Sequence, residues 1–161
     1  MSVRWHRKVR STPEGDYGAL TETVLDAVDW FEDEYEKARD QVKPTGRLTT
    51  IASQLPSWIE YYYGIFQEIE GIFKHVEILI DKETQIARKS YIEHYNRDLN
   101  INQVEKYAGS SETVLSLRML LNHVGIIRGK FAGLHKGFEA LHFQLTNVVK
   151  LHAAGIEDAE L

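Results

Sequence analysis

The chain has 161 residues, 43% apolar and 27% charged, a composition that folds around a core rather than staying disordered. It contains no cysteine, which excludes a disulfide framework, a thiolate metal site and a cysteine nucleophile. The net charge of -5 argues against indiscriminate attraction to nucleic acid, although the charge is distributed very unevenly.

Residues 1–12 carry Arg4, Arg7, Lys8 and Arg10 with no acid, and the pattern predicts a mobile basic arm. Residues 14–40 reverse the sign, with ten acids against two bases. Leu20, Val24, Leu25, Val28, Phe31 and Tyr35 recur there at three and four residues, so the segment is expected to be an amphipathic helix with an acidic face. Asp16 is its expected N-cap, and Lys43-Pro44-Thr45-Gly46 is the break that follows. The acidic face has two readings: the solvated side of a packed helix, or a surface that competes with nucleic acid or docks a basic partner.

From Arg47 to about Asp98 no breaker occurs except Pro56, which is either the first-turn proline of a helix capped from Ser53 or a kink in a longer one. Trp58, Tyr62, Ile65, Ile69, Ile72, Val76 and Leu79 alternate steps of four and three, the heptad spacing of a helix packed along its length. A turn is expected at Asn96 to Asn100. Asn100-Ile101-Asn102-Gln103 then has capping-box spacing and opens a short helix. Gly109-Ser110-Ser111 ends it and caps a last long helix from about Glu112 to Ala153, with Gly155 as C-cap. Its expected core positions are Val114, Leu117, Leu120, Leu121, Val124, Ile127, Phe131, Leu134, Phe138, Leu141, Leu145 and Val148. The fold class is therefore all-α: two long antiparallel helices with an N-terminal acidic helix and a short connector. The apolar stripe is wider than one partner helix requires, which points to assembly as a helical oligomer. The chain divides into residues 1–46, the basic arm and acidic helix, and residues 47–161, the binding and oligomerisation region.

Gly125, Gly129, Gly133 and Gly137 stand at strict four-residue spacing inside the last helix. Each costs about 1 kcal/mol relative to alanine, so close approach by another helix, within the chain or from a second subunit, or by a ligand is the expected compensation. From Thr113 to Ile156 five bases meet one acid, Glu139. A second basic cluster, Lys82, Arg88, Lys89 and Arg97, is interleaved with Tyr91, His94 and Tyr95. Cations that track phosphates, beside rings on which bases stack, are what single-strand binding needs; a solvated helix face explains scattered cations equally well. Glu139 and His142 have the Glu-x-x-His spacing of a di-metal bundle, but no second copy exists, so neither a metal nor another cofactor is expected. No phosphate loop, nucleophile elbow or paired-acid motif is present, and no enzymatic activity is expected. The absence of a long apolar run or a secretory leader predicts a cytoplasmic protein with no membrane partner.

Ile86-Ala87-Arg88-Lys89-Ser90-Tyr91, His94-Tyr95-Asn96-Arg97-Asp98-Leu99 and Val104-Glu105-Lys106-Tyr107 resemble the middle of UvsY-type recombination mediators of T-even-like phages, in particular the cyanophage branch. The stretch Ile127-Arg128-Gly129-Lys130-Phe131-Ala132-Gly133-Leu134-His135-Lys136-Gly137-Phe138-Glu139-Ala140 and residues 151–158 resemble their ending, so the resemblance covers about residues 53–158. It implies a non-enzymatic accessory protein of recombination and repair, acting in the host cytoplasm as a homo-oligomeric ring. Such a protein binds single-stranded DNA, remodels the phage single-strand-binding protein and promotes loading of a RecA-like recombinase. The family's Ala-Arg stretch near a tyrosine falls on Ala87-Arg88 and Tyr91, which makes Arg88 the first candidate for a phosphate contact. Lys89 has no matching family position, and Lys82 and Arg97 rest on the residue pattern alone. The alternative is a non-catalytic structural protein, such as a helical phage morphogenesis factor.

Overall fold

The computed structural model describes residues 4–43, 46–94 and 99–155. It contains five helices and, among the described residues, no strand: α1 (Trp5–Arg10), α2 (Tyr17–Val42), α3 (Leu48–His94), α4 (Ile101–Gly109) and α5 (Glu112–Ala153). With 47 and 42 residues, α3 and α5 are about 70 and 63 Å long.

The long helices pack antiparallel. Tyr62 stacks on Phe138, Glu70 pairs with Arg128, and Phe73 lies against Gly125, so residue numbers rise on one helix as they fall on the other. Helix α2 runs alongside α5 in the same direction, Lys130 meeting Glu32 and Gly137 meeting Val42. The three helices close one core in which Phe31, Ile69, Ile72, Val124, Ile127, Phe131 and Phe138 are almost fully inaccessible. Of the twelve expected core positions on α5, eleven are buried and Leu121 is packed against the core's edge.

The ends of the helices follow local chemistry. The Asp16 carboxylate accepts from Ala19 N at 3.0 Å, Ser111 Oγ accepts from Val114 N, and Asn100 and Gln103 form the complete capping box. Gly155, just past α5, has φ +79°, a conformation that favours glycine. Helix α3 begins at Leu48 and continues through Pro56, so Ser53 is not its cap; Ser53 Oγ instead donates back to Thr50 O at 2.8 Å. Pro44 and Thr45 in the expected break, and the greater part of the Asn96–Asn100 turn, lie outside the described residues.

The N-terminal segment corrects the expectation of a mobile arm. Residues 5–10 form a helix that buries Trp5 and Val9, four residues apart on one face, and leaves Arg7, Lys8 and Arg10 outward. Trp5 packs against Trp30 of α2, and His6 N donates to the Glu68 carboxylate of α3 at 2.8 Å. Gly71 makes this seat possible. A Cβ there would lie 2.9 Å from the His6 ring, so only a glycine lets α1 approach α3 so closely.

Candidate nucleic-acid interface

The candidate binding residues that are described, Lys82, Arg88, Lys89 and Tyr91, do not form one patch. Arg88, near the end of α3, points toward α4 and pairs with Glu105; their side chains are 37% and 44% exposed. Tyr91, one turn further, lies against Tyr107 of α4 with ring centroids 5.7 Å apart and planes inclined at 34°. Arg88 and Tyr91 thus meet Glu105 and Tyr107 at the α3–α4 corner. Lys89 is on the outer side of α3, 3.8 Å from Glu93. Lys82 is tied to Glu14, in the turn between α1 and α2. That hydrogen bond, with the attraction between the charges, holds the Glu14 carboxyl below its ordinary range and the Lys82 ammonium above its own. Arg97 lies outside the described residues.

Two cations of α5 are also engaged with carboxylates. Arg128 reaches Glu70 and stacks over the Phe73 ring at 4.6 Å, and Lys130 reaches Glu32 at 2.7 Å. The acidic helix α2 therefore neutralises part of the basic face of α5. Its one buried charge, Glu34, accepts from Tyr61 Oη at 2.8 Å and from Lys37 Nζ at 2.6 Å, tying α2 to α3. Both partners of the Arg88–Glu105 pair were visible in sequence, but nothing local signals that residues 17 apart along the chain would meet.

The four glycines of α5 have different surroundings. A Cβ at Gly125 would contact Phe73 at 3.5 Å, and one at Gly137 would press on Val42 at 3.1 Å, so these two seat α3 and α2. Gly129 and Gly133 are exposed, and a Cβ at either would meet nothing within 4 Å.

Between the start of α3 and the end of α5 lies an open, mainly apolar groove of about 1040 Å³, lined by Leu55, Ile59, Tyr63, Leu145 and Val149 together with His135, His142 and Thr146. The Thr146 hydroxyl in it donates to the backbone carbonyl of His142 at 3.0 Å rather than to a histidine ring. Among the described residues no group of three or more histidines and carboxylates converges as a metal ion requires; Glu139 is 3.5 Å from His135. No helix of the described residues is long and apolar enough to cross a membrane. Comparison with family models, curated proteins and solved structures returned no match.

Proposed function

We propose that this chain is a non-catalytic, self-associating helical protein that binds single-stranded DNA and, like the UvsY-type mediators it resembles, helps load a RecA-like recombinase, with the α3–α4 corner of this chain as the DNA contact. The observation that carries the reading is the corner itself, where Arg88 and Tyr91, three residues apart on α3, meet Glu105 and Tyr107 of α4. A guanidinium next to flat rings offers one phosphate contact and one stacking platform, the two elements of sequence-independent single-strand binding.

Glu105 does not defeat this arrangement. Exposed ion pairs contribute about 0–1 kcal/mol, so a phosphate oxygen can replace the Glu105 carboxylate at little cost. Titration of labelled oligo-dT at low and moderate salt tests the reading. Binding should weaken steeply with salt, Arg88→Glu should reduce it, and Glu105→Gln should strengthen it by removing the competing carboxylate. No binding by micromolar protein in low salt sinks the proposal.

A second reading, a purely structural assembly protein, draws on a different observation. Lys82, Arg88, Lys89, Arg128 and Lys130 all face carboxylates, while a long apolar face of α5 is left uncovered. Under that reading oligo-dT stays free and association persists.

A further inference from the structure

The side of α5 turned away from the core carries a second stripe. Glu112, Leu115, Met119, Asn122, Ile126, Gly129, Gly133, Lys136, Ala140, Phe143, Asn147 and Lys150 follow one another at alternating steps of three and four residues. This is again heptad spacing, so they share one seam of the helix, about 57 Å long. The core stripe of α5 is already satisfied by α2 and α3. The outer seam nevertheless displays Leu115 at 46%, Met119 at 67%, Ile126 at 54% and Phe143 at 66% exposure. Large apolar side chains repeated in register along one face mark an interaction surface rather than scattered exposure.

We infer that this seam pairs with the same seam of a second copy of the chain, antiparallel, about a two-fold axis level with Phe131. The seam is self-complementary about that point. In the antiparallel register Gly129 faces the partner's Gly133, Met119 faces the partner's Phe143, and Asn122 faces the partner's Ala140. Ile126 lies under the stem of the partner's Lys136, whose ammonium extends to water. Glu112 at one end meets the partner's Lys150 at the other, and two-fold symmetry makes every one of these contacts twice.

Charge selects this arrangement over the parallel one. Parallel pairing sets Glu112 against Glu112, Lys136 against Lys136 and Lys150 against Lys150, three like-charge oppositions in one seam. Antiparallel pairing replaces the end repulsions with two attractions and lets the helix dipoles oppose each other. The outward glycines then acquire a reason. Among the described residues of the protomer, a Cβ at Gly129 or Gly133 would meet nothing within 4 Å. At the centre of an antiparallel pair they are where the two backbones come closest, with Met119 and Phe143 filling the wider gaps on either side.

The inference does not depend on nucleic-acid binding and holds under either functional reading. A two-fold pair is closed, so a larger ring would be built from pairs through another surface.

Because the chain has no cysteine, introduced thiols are unique reporters. M119C and F143C proteins are made separately and treated with a short bis-maleimide, alone and mixed. The antiparallel pair cross-links efficiently only in the mixture, because each residue lies about 36 Å from its own copy along the seam. Self-cross-linking of M119C would show parallel pairing, and no cross-link in any sample would show that the seam is unpaired; either result overturns the inference. Sedimentation supplies an independent check. Gly133→Leu places its side chain in open space in the protomer and against a backbone in the pair. Its helicity should be unchanged, with pairing weakened about 100-fold. Wild-type protein that sediments as a monomer at micromolar concentration, or a Gly133→Leu variant that pairs normally, also overturns the inference.

Discussion

Glu34 is the only charged residue buried among the described residues, and its environment makes the protein sensitive to alkali. Its carboxylate accepts from Tyr61, whose own hydroxyl is pushed up to about 12, first by burial and then by that hydrogen bond. Tyr17 is raised to about 12 in the same way, by burial and by its hydrogen bond to Glu83. Both phenols titrate near 10 in the unfolded chain, so their contribution is fully present below pH 10 and lost as the pH rises toward 12. Urea midpoints measured from pH 9 upward should therefore fall across that window. In the Tyr17→Phe, Tyr61→Phe double variant the fall should be shallower, and an unchanged slope would show that these two contacts do not govern it. The removed hydroxyl leaves Glu34 with Lys37 as its remaining donor, so the double variant should also be less stable at neutral pH, by about 1–3 kcal/mol.

At the scale of elements, the docking of α1 is the feature most open to a single substitution. Gly64 and Gly71 both lie within α3, seven residues apart, yet a Cβ at Gly64 meets open space while one at Gly71 meets the His6 ring. Gly64→Ala should therefore stabilise the protein by about 1 kcal/mol through helix propensity. Gly71→Leu should displace α1, with a loss of about 1–3 kcal/mol and a change in the near-ultraviolet signal of the Trp5–Trp30 pair. Equal effects of the two would show that α1 is not seated on α3. The contrast also explains how far the sequence could be read. The α5 core was legible because one repeated rule, apolar residues at three and four, places all eleven of its buried positions over 42 residues. Helix α1 offers only Trp5 and Val9, a single repeat inside a basic run, and its order comes from contacts with α2 and α3 that no local pattern encodes. The same holds for the candidate site. Arg88 and Tyr91 were visible as a cation near a ring, whereas the Glu105 carboxylate and the Tyr107 ring reach them only because α4 packs back against α3. The glycine ridge was legible as a spacing but not as a division of labour between two inward and two outward positions.

At the scale of the whole molecule, affinity for DNA and pairing through α5 are coupled by geometry. A chain with a net charge of -5 and one ion-paired arginine at each corner binds a single strand weakly, whereas a strand that reaches two corners gains effective concentration from the first contact. Antiparallel pairing turns the two protomers' corners toward opposite ends of the seam. With α5 about 63 Å long, a strand must be long enough to bridge that distance before it benefits. Gly133→Leu, which separates the pair, should therefore leave the affinity for a short oligo-dT unchanged and lower that for a long one by about 100-fold. Equal losses on both lengths would place the glycine's effect in the site itself. No loss on either would mean that each corner acts alone, and a single protomer would then be the DNA-binding unit.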